Sequence, residues 1–305
     1  MAYGGLLGGS WTVHAFRDEK DVPDAVAGEA EFALAASPQQ VRSLFARAPN
    51  LQLVQVPGHG FDHVDLDAAS RASVAVCTVA SSGAESHTVA EMALLLAGVA
   101  SRRIIAGDAM VREGRWGTQE MLFGGGGVFE LAGKTLGIVG FGRIGRELAK
   151  RARAFGMAVL YTDVVRAEDT DVEFRDLDGL LAASDVVSLH APLTPETKHL
   201  MDDAAIARMK TGAVLVNTAR GGLVDPDALA RALRSGRIRA AAIDVFDPEP
   251  PPPDSPLLGL DNVVLSPHMA GVAQESVMRI LGAALENCRR VERGEDPHDV
   301  VTPER

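Results

Sequence analysis

The stretch from Lys134 to Asp163, KTLGIVGFGRIGRELAKRARAFGMAVLYTD, constrains the fold of this chain more than any other. Leu136 to Val139 is an apolar run with the length of a buried parallel strand, and Gly140, Gly142 and Gly145 follow it as G-x-G-x-x-G. Ile144, Leu148, Ala152 and Phe155 then recur at helical spacing, Gly156 is a helix stop, and Ala158 to Tyr161 is a second strand ending at Asp163. Strand, glycine turn, helix, strand and acid is the order that cradles a dinucleotide. Gly140 permits the tight turn, Gly142 lets backbone N–H groups approach a pyrophosphate, and Gly145 lets the helix lie close to the sheet. The helix start at Arg143 and Ile144 offers its unpaired N–H groups and partial positive charge to the phosphates. Asp163 is placed to accept from ribose hydroxyls, and its charge repels a 2′-phosphate, so the expected cofactor is NAD rather than NADP. Arg166 is the nearby cation that would soften this preference; it reads more simply as a solvated surface residue.

A chain of 305 residues is long enough for two cores. Its net charge of −11 argues against a nucleic-acid surface, which needs a basic face. The most apolar run, Val89 to Ala100, is too short for a bilayer and contains Glu91, so it reads as a buried helix; no membrane partner is expected. The N-terminus lacks the pattern of a signal peptide, and Cys77 and Cys288 lack metal-ligand spacing. Both read as reduced thiols, which points to a cytoplasmic protein with no metal site.

The rest of the chain alternates strands and helices, as in an α/β protein. Strands are expected at Trp11–Phe16, Phe32–Ala36, Leu53–Val56 and Val74–Val79, with Ser37-Pro38 starting a helix that carries Val41, Leu44 and Phe45. One long helix is expected from Glu85 to Arg112, and Gly114 to Gly127 reads as a loop. Further strands at Asp185–Leu189, Ala213–Asn217, Ala240–Val245 and Asn262–Ser266 end beside His190, Thr218, Arg220, Asp244 and His268. In a doubly wound sheet ligands bind beyond the carboxyl ends of the strands, where all five residues fall. Asp225-Pro226 caps a helix that stops at Gly236, Asp247–Pro256 is a stiff proline-rich connection, and Gln274–Arg293 is a final helix that returns the chain to the first domain. The expected division is residues 1–86 with 274–305 for the substrate, and 87–273 for NAD.

Arg220, Glu249 and His268 have the chemistry of a reaction centre for hydride transfer at a secondary alcohol. Histidine suits proton exchange with the hydroxyl because its pKa lies near neutrality. Arginine grips a carboxylate in two places, and a glutamate on the other imidazole nitrogen would orient the ring and raise its pKa. The bland alternatives are a structural His268, a solvated Glu249 and a surface Arg220. Asp244 reads as a turn cap or as a partner for the nicotinamide amide. His190 reads as packing near the cofactor.

The segments GFDHVDLDAA, TVAEMALLLA, ELAGKTLGIVGFGRIG, HAPLTPETKHL, LVNTARGGLVD, AIDVFDPEP and NVVLSPHMAG occur in the order found in the D-isomer-specific 2-hydroxyacid dehydrogenases. The chain resembles that family from about Leu51 to Glu295. The resemblance implies two Rossmann- or flavodoxin-like domains, a small 2-ketoacid or 2-hydroxyacid substrate, and a homodimer joined through the NAD domain. It makes Arg220 the substrate-binding arginine, Glu249 the orienting acid and His268 the general acid/base. Asp244 and the backbone around Thr218, Ala219 and Gly271 would hold the nicotinamide, Asp163 the adenosine ribose, and His190, Pro192 and Thr197 the same cofactor. Backbone N–H groups at His59 and Gly60 would meet the substrate carboxylate.

Two departures stand out. Family members usually begin with a strand and helix ahead of the segment matching Trp11–Phe16, so the expectation is either a first domain short by an element or a true start that lies upstream. At His59 a small or apolar residue is common; a histidine there points either to a different or more acidic substrate or to a ring facing solvent. Serine-feedback control is not expected, since no regulatory extension follows the match. The alternatives are an NADP-preferring glyoxylate/hydroxypyruvate reductase and a nucleotide-sensing binding protein resembling the C-terminal-binding corepressors.

Overall fold

The computed structural model describes residues 11–16, 18–35, 41, 43–58, 60–61, 64–123 and 127–302. It divides the chain into two compact units, Met1–Glu85 with Val272–Arg305, and Ser86–Gly271. The strands, in chain order, are β1 (Phe32–Leu34), β2 (Leu53–Gln55), β3 (Ala75–Cys77), β4 (Thr135–Val139), β5 (Ala158–Thr162), β6 (Glu173–Phe174), β7 (Val186–Leu189), β8 (Ala213–Asn217), β9 (Ile238–Ile243), β10 (Val263–Leu265) and β11 (Val300–Val301).

The Ser86–Gly271 unit is built on a parallel seven-stranded sheet of order β10-β9-β8-β7-β4-β5-β6. The chain enters at β4, winds outward through β5 and β6, then crosses back to lay β7 on the other side of β4. Side chains alternate between the two faces, as a period of two requires. Val187, Leu189, Leu215 and Ile243 face the helices Leu177–Ala183, Asp203–Arg208 and Pro226–Arg234. Ile138, Val186, Val214 and Val216 face Ser86–Arg102 and Arg143–Ala154. Both faces are covered, which is why these strands read as unbroken apolar runs.

Local signals set the helix ends. Asp225 accepts from the N–H groups of Asp227 and Ala228 at the start of Pro226–Arg234, and Gly156 and Gly236 follow helices with φ near +74° and +73°. Phe155 lies at the end of its helix and is 55 % exposed, so the buried stripe there ends at Ala152.

The smaller unit has the order β1-β2-β3-β11, with β1 to β3 parallel and β11 antiparallel to β3. On one side, Val54, Val56 and Val76 pack with Ala27, Leu44 and Leu51. On the other, Leu53 and Cys77 meet Cys288 of the helix Gln274–Glu292. Both thiols are free and buried, and burial pushes Cys77 up to about 12 and Cys288 up to about 11. A buried amide pair ties helix to sheet: Gln55 Nε2 donates to the carbonyls of Val56, Cys77 and Thr78, and Gln55 Oε1 accepts from Asn287 Nδ2 at 2.8 Å.

Three expectations change. Trp11–Phe16 forms no strand: residues 12–15 are exposed, so no buried face drives pairing, and Trp11 instead packs its ring 5.9 Å from Phe32. The long helix is two, Ser86–Arg102 and Ile104–Arg112, separated by Arg103 at φ +52°. Ser101 Oγ donates back to Ala97 O at 2.6 Å in the last turn of the first helix, a bond that competes with the helix ladder. A short helix, Thr118–Phe123, interrupts the expected loop. Ser37-Pro38 and His59 lie outside the described residues.

Asn287→Ala would leave Gln55 Oε1 buried without this donor. The expected loss is about 1–3 kcal/mol of unfolding free energy in a urea titration, whereas truncation of an exposed residue such as Glu275 should change it by less than about 0.5 kcal/mol.

Candidate active site

Where β4 and β7 lie side by side, the chain leaves their carboxyl ends in opposite directions and opens a crevice. Gly140 closes the turn after β4 with φ +94°, and a Cβ there would lie 2.6 Å from the carbonyl carbon of His190, the residue after β7. Only glycine fits so close a backbone approach. Gly145 sits under the same turn, against Gly140 O and Ile138. Gly142 differs from both, because a Cβ added there meets nothing within 4 Å. It is the N-cap of Arg143–Ala154 and offers no side-chain hydrogen bond, so the first N–H groups at Arg143 and Ile144 stand at an open helix start.

Asp163, just past β5, turns back onto this glycine turn. Its Oδ2 accepts from Phe141 N at 2.6 Å and its Oδ1 from Val164 N at 2.7 Å. Those bonds aim the carboxylate and leave further lone pairs on both oxygens. Arg166 stacks its guanidinium 5.5 Å from the Phe174 ring centre.

After β7 the segment His190–Thr197 is held by its own side chains. Thr197 Oγ1 donates to Pro192 O and accepts from Thr194 N, both at 2.7 Å. His190 Nε2 pairs with Ser188 Oγ at 2.8 Å, and burial pushes the imidazole down to about 4, so it is neutral at physiological pH. Its Nδ1 and Thr218 Oγ1 are buried with no hydrogen-bond partner among the described residues. Two such atoms at the carboxyl ends of neighbouring strands fit a polar ligand that would complete them.

Arg220 follows β8. Asn217, fully buried at the end of that strand, accepts from Ala219 N at 3.0 Å and donates to Arg220 O at 2.8 Å, which fixes the backbone that carries the guanidinium. Arg220 Nη1 donates to Ala219 O at 2.7 Å.

His268 comes after β10, at φ +50°. Its Nδ1 lies 2.8 Å from Glu249 Oε2, and Glu249 Oε1 accepts from Phe246 N at 2.9 Å. The glutamate is therefore held at one oxygen and orients the ring with the other. Asp244 is fully buried at the end of β9, and its work is local. Its Oδ1 accepts from Ser266 Oγ at 2.5 Å and Met269 N at 3.0 Å, its Oδ2 from Ala270 N at 2.8 Å, and its carbonyl from His268 N at 2.7 Å. These bonds are those of a turn cap, one of its two expected roles. Asn217 and Ser266 had no expected role, although Asn217 stands within the quoted LVNTARGG segment. Among the described residues no group of three or more His, Cys, Asp or Glu side chains is placed to hold a metal ion.

Residues 92–270 match the family described as D-isomer specific 2-hydroxyacid dehydrogenase, NAD binding domain. The chain belongs to that family. A glyoxylate reductase of Korarchaeum cryptofilum is 43% identical over 268 residues, covering 86% of this chain and 79% of the relative. A D-3-phosphoglycerate dehydrogenase of Mycobacterium tuberculosis is 41% identical over 95% of this chain, which spans only 56% of that longer relative. The crystal structure of the Aquifex aeolicus D-lactate dehydrogenase, complexed with NAD and lactic acid, aligns with TM-score 0.80 and 32% identity over 94% of this chain and 91% of that one. This family member is an NAD-dependent oxidoreductase acting on CH–OH groups, and its Ser86–Gly271 unit carries the NAD-binding domain.

The three glycines separate by experiment. Gly142→Val should leave the melting temperature within a few degrees and weaken NADH binding by about tenfold or more, read by fluorescence titration. Gly140→Ala should instead lower the melting temperature outright, because the added Cβ meets backbone.

Proposed function

We propose that the chain interconverts a small 2-ketoacid and its D-2-hydroxyacid, with Arg220, Glu249 and His268 performing the chemistry. The hydrogen bond between His268 Nδ1 and Glu249 Oε2 carries this reading. It commits Nδ1 to the carboxylate and leaves Nε2 as the atom that exchanges a proton with substrate. Bound NADH supplies the hydride. In the reducing direction His268 Nε2 delivers its proton to the carbonyl oxygen, and Glu249 stabilises the imidazolium beforehand. Arg220 grips the substrate carboxylate and polarises the carbonyl. In the oxidising direction the neutral imidazole takes the hydroxyl proton.

The smaller unit contributes substrate recognition through backbone N–H groups at His59 and Gly60. Asp163 holds the adenosine ribose and selects NAD over NADP. The helix start at Gly142, Arg143 and Ile144 receives the pyrophosphate, while Thr218, Ala219, His190, Pro192, Thr197 and Gly271 line the nicotinamide end. Asp244 acts beneath them by fixing the loop that bears His268.

The protein works as a homodimer joined through the NAD-binding domain. Leu95, Ile104, Ile105, Val111, Trp116 and Leu122 are exposed on its helices Ser86–Arg102, Ile104–Arg112 and Thr118–Phe123 and on the connection before the last. Exposed apolar side chains at this density fit a subunit contact. Two buried free thiols fit a cytoplasmic setting, and no described helix is long and apolar enough to cross a membrane.

NADH oxidation should proceed with a 2-ketoacid from a panel of glyoxylate, hydroxypyruvate and pyruvate, and should fall by about 10³-fold or more in His268→Ala while NADH binding persists. Tight NADH binding without turnover of any substrate would favour a nucleotide-sensing role. Sedimentation should give twice the chain mass, and Ile105→Glu with Val111→Glu should shift it to the monomer.

A further inference from the structure

A continuous ladder of side chains runs beside Asp163. Arg146, on the helix Arg143–Ala154, lies over the Phe141 ring, 5.1 Å from its centre. Phe141 stacks on Tyr161 with ring centres 4.1 Å apart, and Tyr161 meets the Phe174 ring edge-on at 5.4 Å. The guanidinium of Arg166 closes the far end, 5.5 Å from the Phe174 centre. Sheet register sets this order: Tyr161 on β5 and Phe174 on β6 are direct partners across the parallel pair. Phe141 and Tyr161 are buried, and Phe174 packs partly buried against the same core.

The backbone that carries Arg166 is pinned on either side of it. Asp163 is tied to Phe141 N at 2.6 Å, and the Tyr161 hydroxyl accepts from Ala167 N at 3.0 Å and donates to Ala167 O at 3.4 Å. Only the side chain of Arg166 is then left to choose a partner. Arg166 is exposed, and among the described residues no carboxylate pairs with it, so the Phe174 ring is what holds it. Arg146 differs, because Asp169 Oδ1 accepts from its Nη2 at 2.8 Å in addition to the ring contact.

We infer, on the basis of the proposed reading that Asp163 holds the adenosine ribose, that Phe174 is a specificity-determining residue: its ring competes with the 2′-phosphate of NADP for Arg166. This adds to the preference for NAD that Asp163 sets by charge. A 2′-phosphate carries nearly two negative charges and is best received by the planar fork of a guanidinium. In dinucleotide folds an arginine near the ribose acid takes that part. Arg166, which follows Asp163 closely in the chain, has the right chemistry, while Arg143 stands at the helix start that meets the pyrophosphate and Arg146 is engaged by Asp169. To serve NADP, Arg166 must leave the ring. A cation over an aromatic face at an exposed site is released at a cost of about two- to fivefold in affinity. NAD asks nothing of Arg166 and loses nothing. Phe174 therefore acts on cofactor choice through Arg166, without itself being a cofactor contact.

The test measures the Kd of NADH and of NADPH by fluorescence titration, at fixed pH and ionic strength, in a protein whose repulsion has been removed by Asp163→Ser. That substitution should strengthen NADPH binding and weaken NADH binding. On its background Phe174→Leu, which keeps apolar bulk and removes the ring, should lower the Kd of NADPH by about two- to fivefold and leave that of NADH unchanged. Adding Arg166→Ala should abolish the gain. Phe174→Tyr, which keeps the ring face, should match the Asp163→Ser parent. Melting temperatures show that each variant is folded, and Phe174→Met serves the same test where the leucine variant fails to fold. An NADPH affinity that the folded leucine or methionine variant does not raise, or a gain that survives Arg166→Ala, overturns the inference and leaves the role of Asp163 intact. If Asp163→Ser moves the affinity of neither cofactor, the proposed role of Asp163 fails and this inference with it.

Discussion

The approach of Gly140 to the backbone of His190 sets the geometry of the larger unit. It exists because the chain begins its sheet in the middle and lays β4 directly beside β7, two strands separated by β5, β6 and their connections. With no Cβ at Gly140, the turns leaving these strands meet at van der Waals distance, and the helix Arg143–Ala154 starts at the edge of the crevice. Asp163 then ties the end of β5 to the same turn through Phe141 N. A cofactor cradle assembled in this way depends on sheet order more than on any single side chain.

On the other side of the switch point, buried polar side chains hold the reactive ones. Asn217 closes the turn that carries Arg220, and Asp244 gathers the Ser266–Ala270 loop under His268. Each is fully buried and spends its polar atoms on neighbouring backbone, joined in Asp244 by the Ser266 hydroxyl, so neither costs the unit an unsatisfied group. Glu249 and His268 are half-exposed and hang from the connections that follow β9 and the edge strand β10. The division suits chemistry in which a half-exposed ring must keep one orientation.

Much of this was legible in the sequence. The strand, glycine turn, helix and acid between Lys134 and Asp163 appear as read, because each is governed by local pattern: apolar runs, glycine conformations and a capping stop at Gly156. The pairing of Glu249 with His268 followed from residue types and strand ends, and the two meet across 19 positions of chain. What escaped the sequence was decided by tertiary contacts. Trp11–Phe16 has strand-like residues but no face to bury, and the Glu85–Arg112 pattern gives no warning of the left-handed Arg103. Asp244 is by residue type equally suited to a ligand contact or a loop anchor, and only the tertiary structure reveals the Met269 and Ala270 amides that it anchors.

The two native thiols have a practical consequence. Cys77 and Cys288 are sealed between sheet and helix, and burial holds both as protonated, poorly nucleophilic groups. A cysteine introduced at an exposed position such as Glu275 would therefore be labelled selectively in the folded protein without removing either native residue. Fluorophores or spin labels placed one per unit would then report the distance between the two units in solution as cofactor and substrate are added.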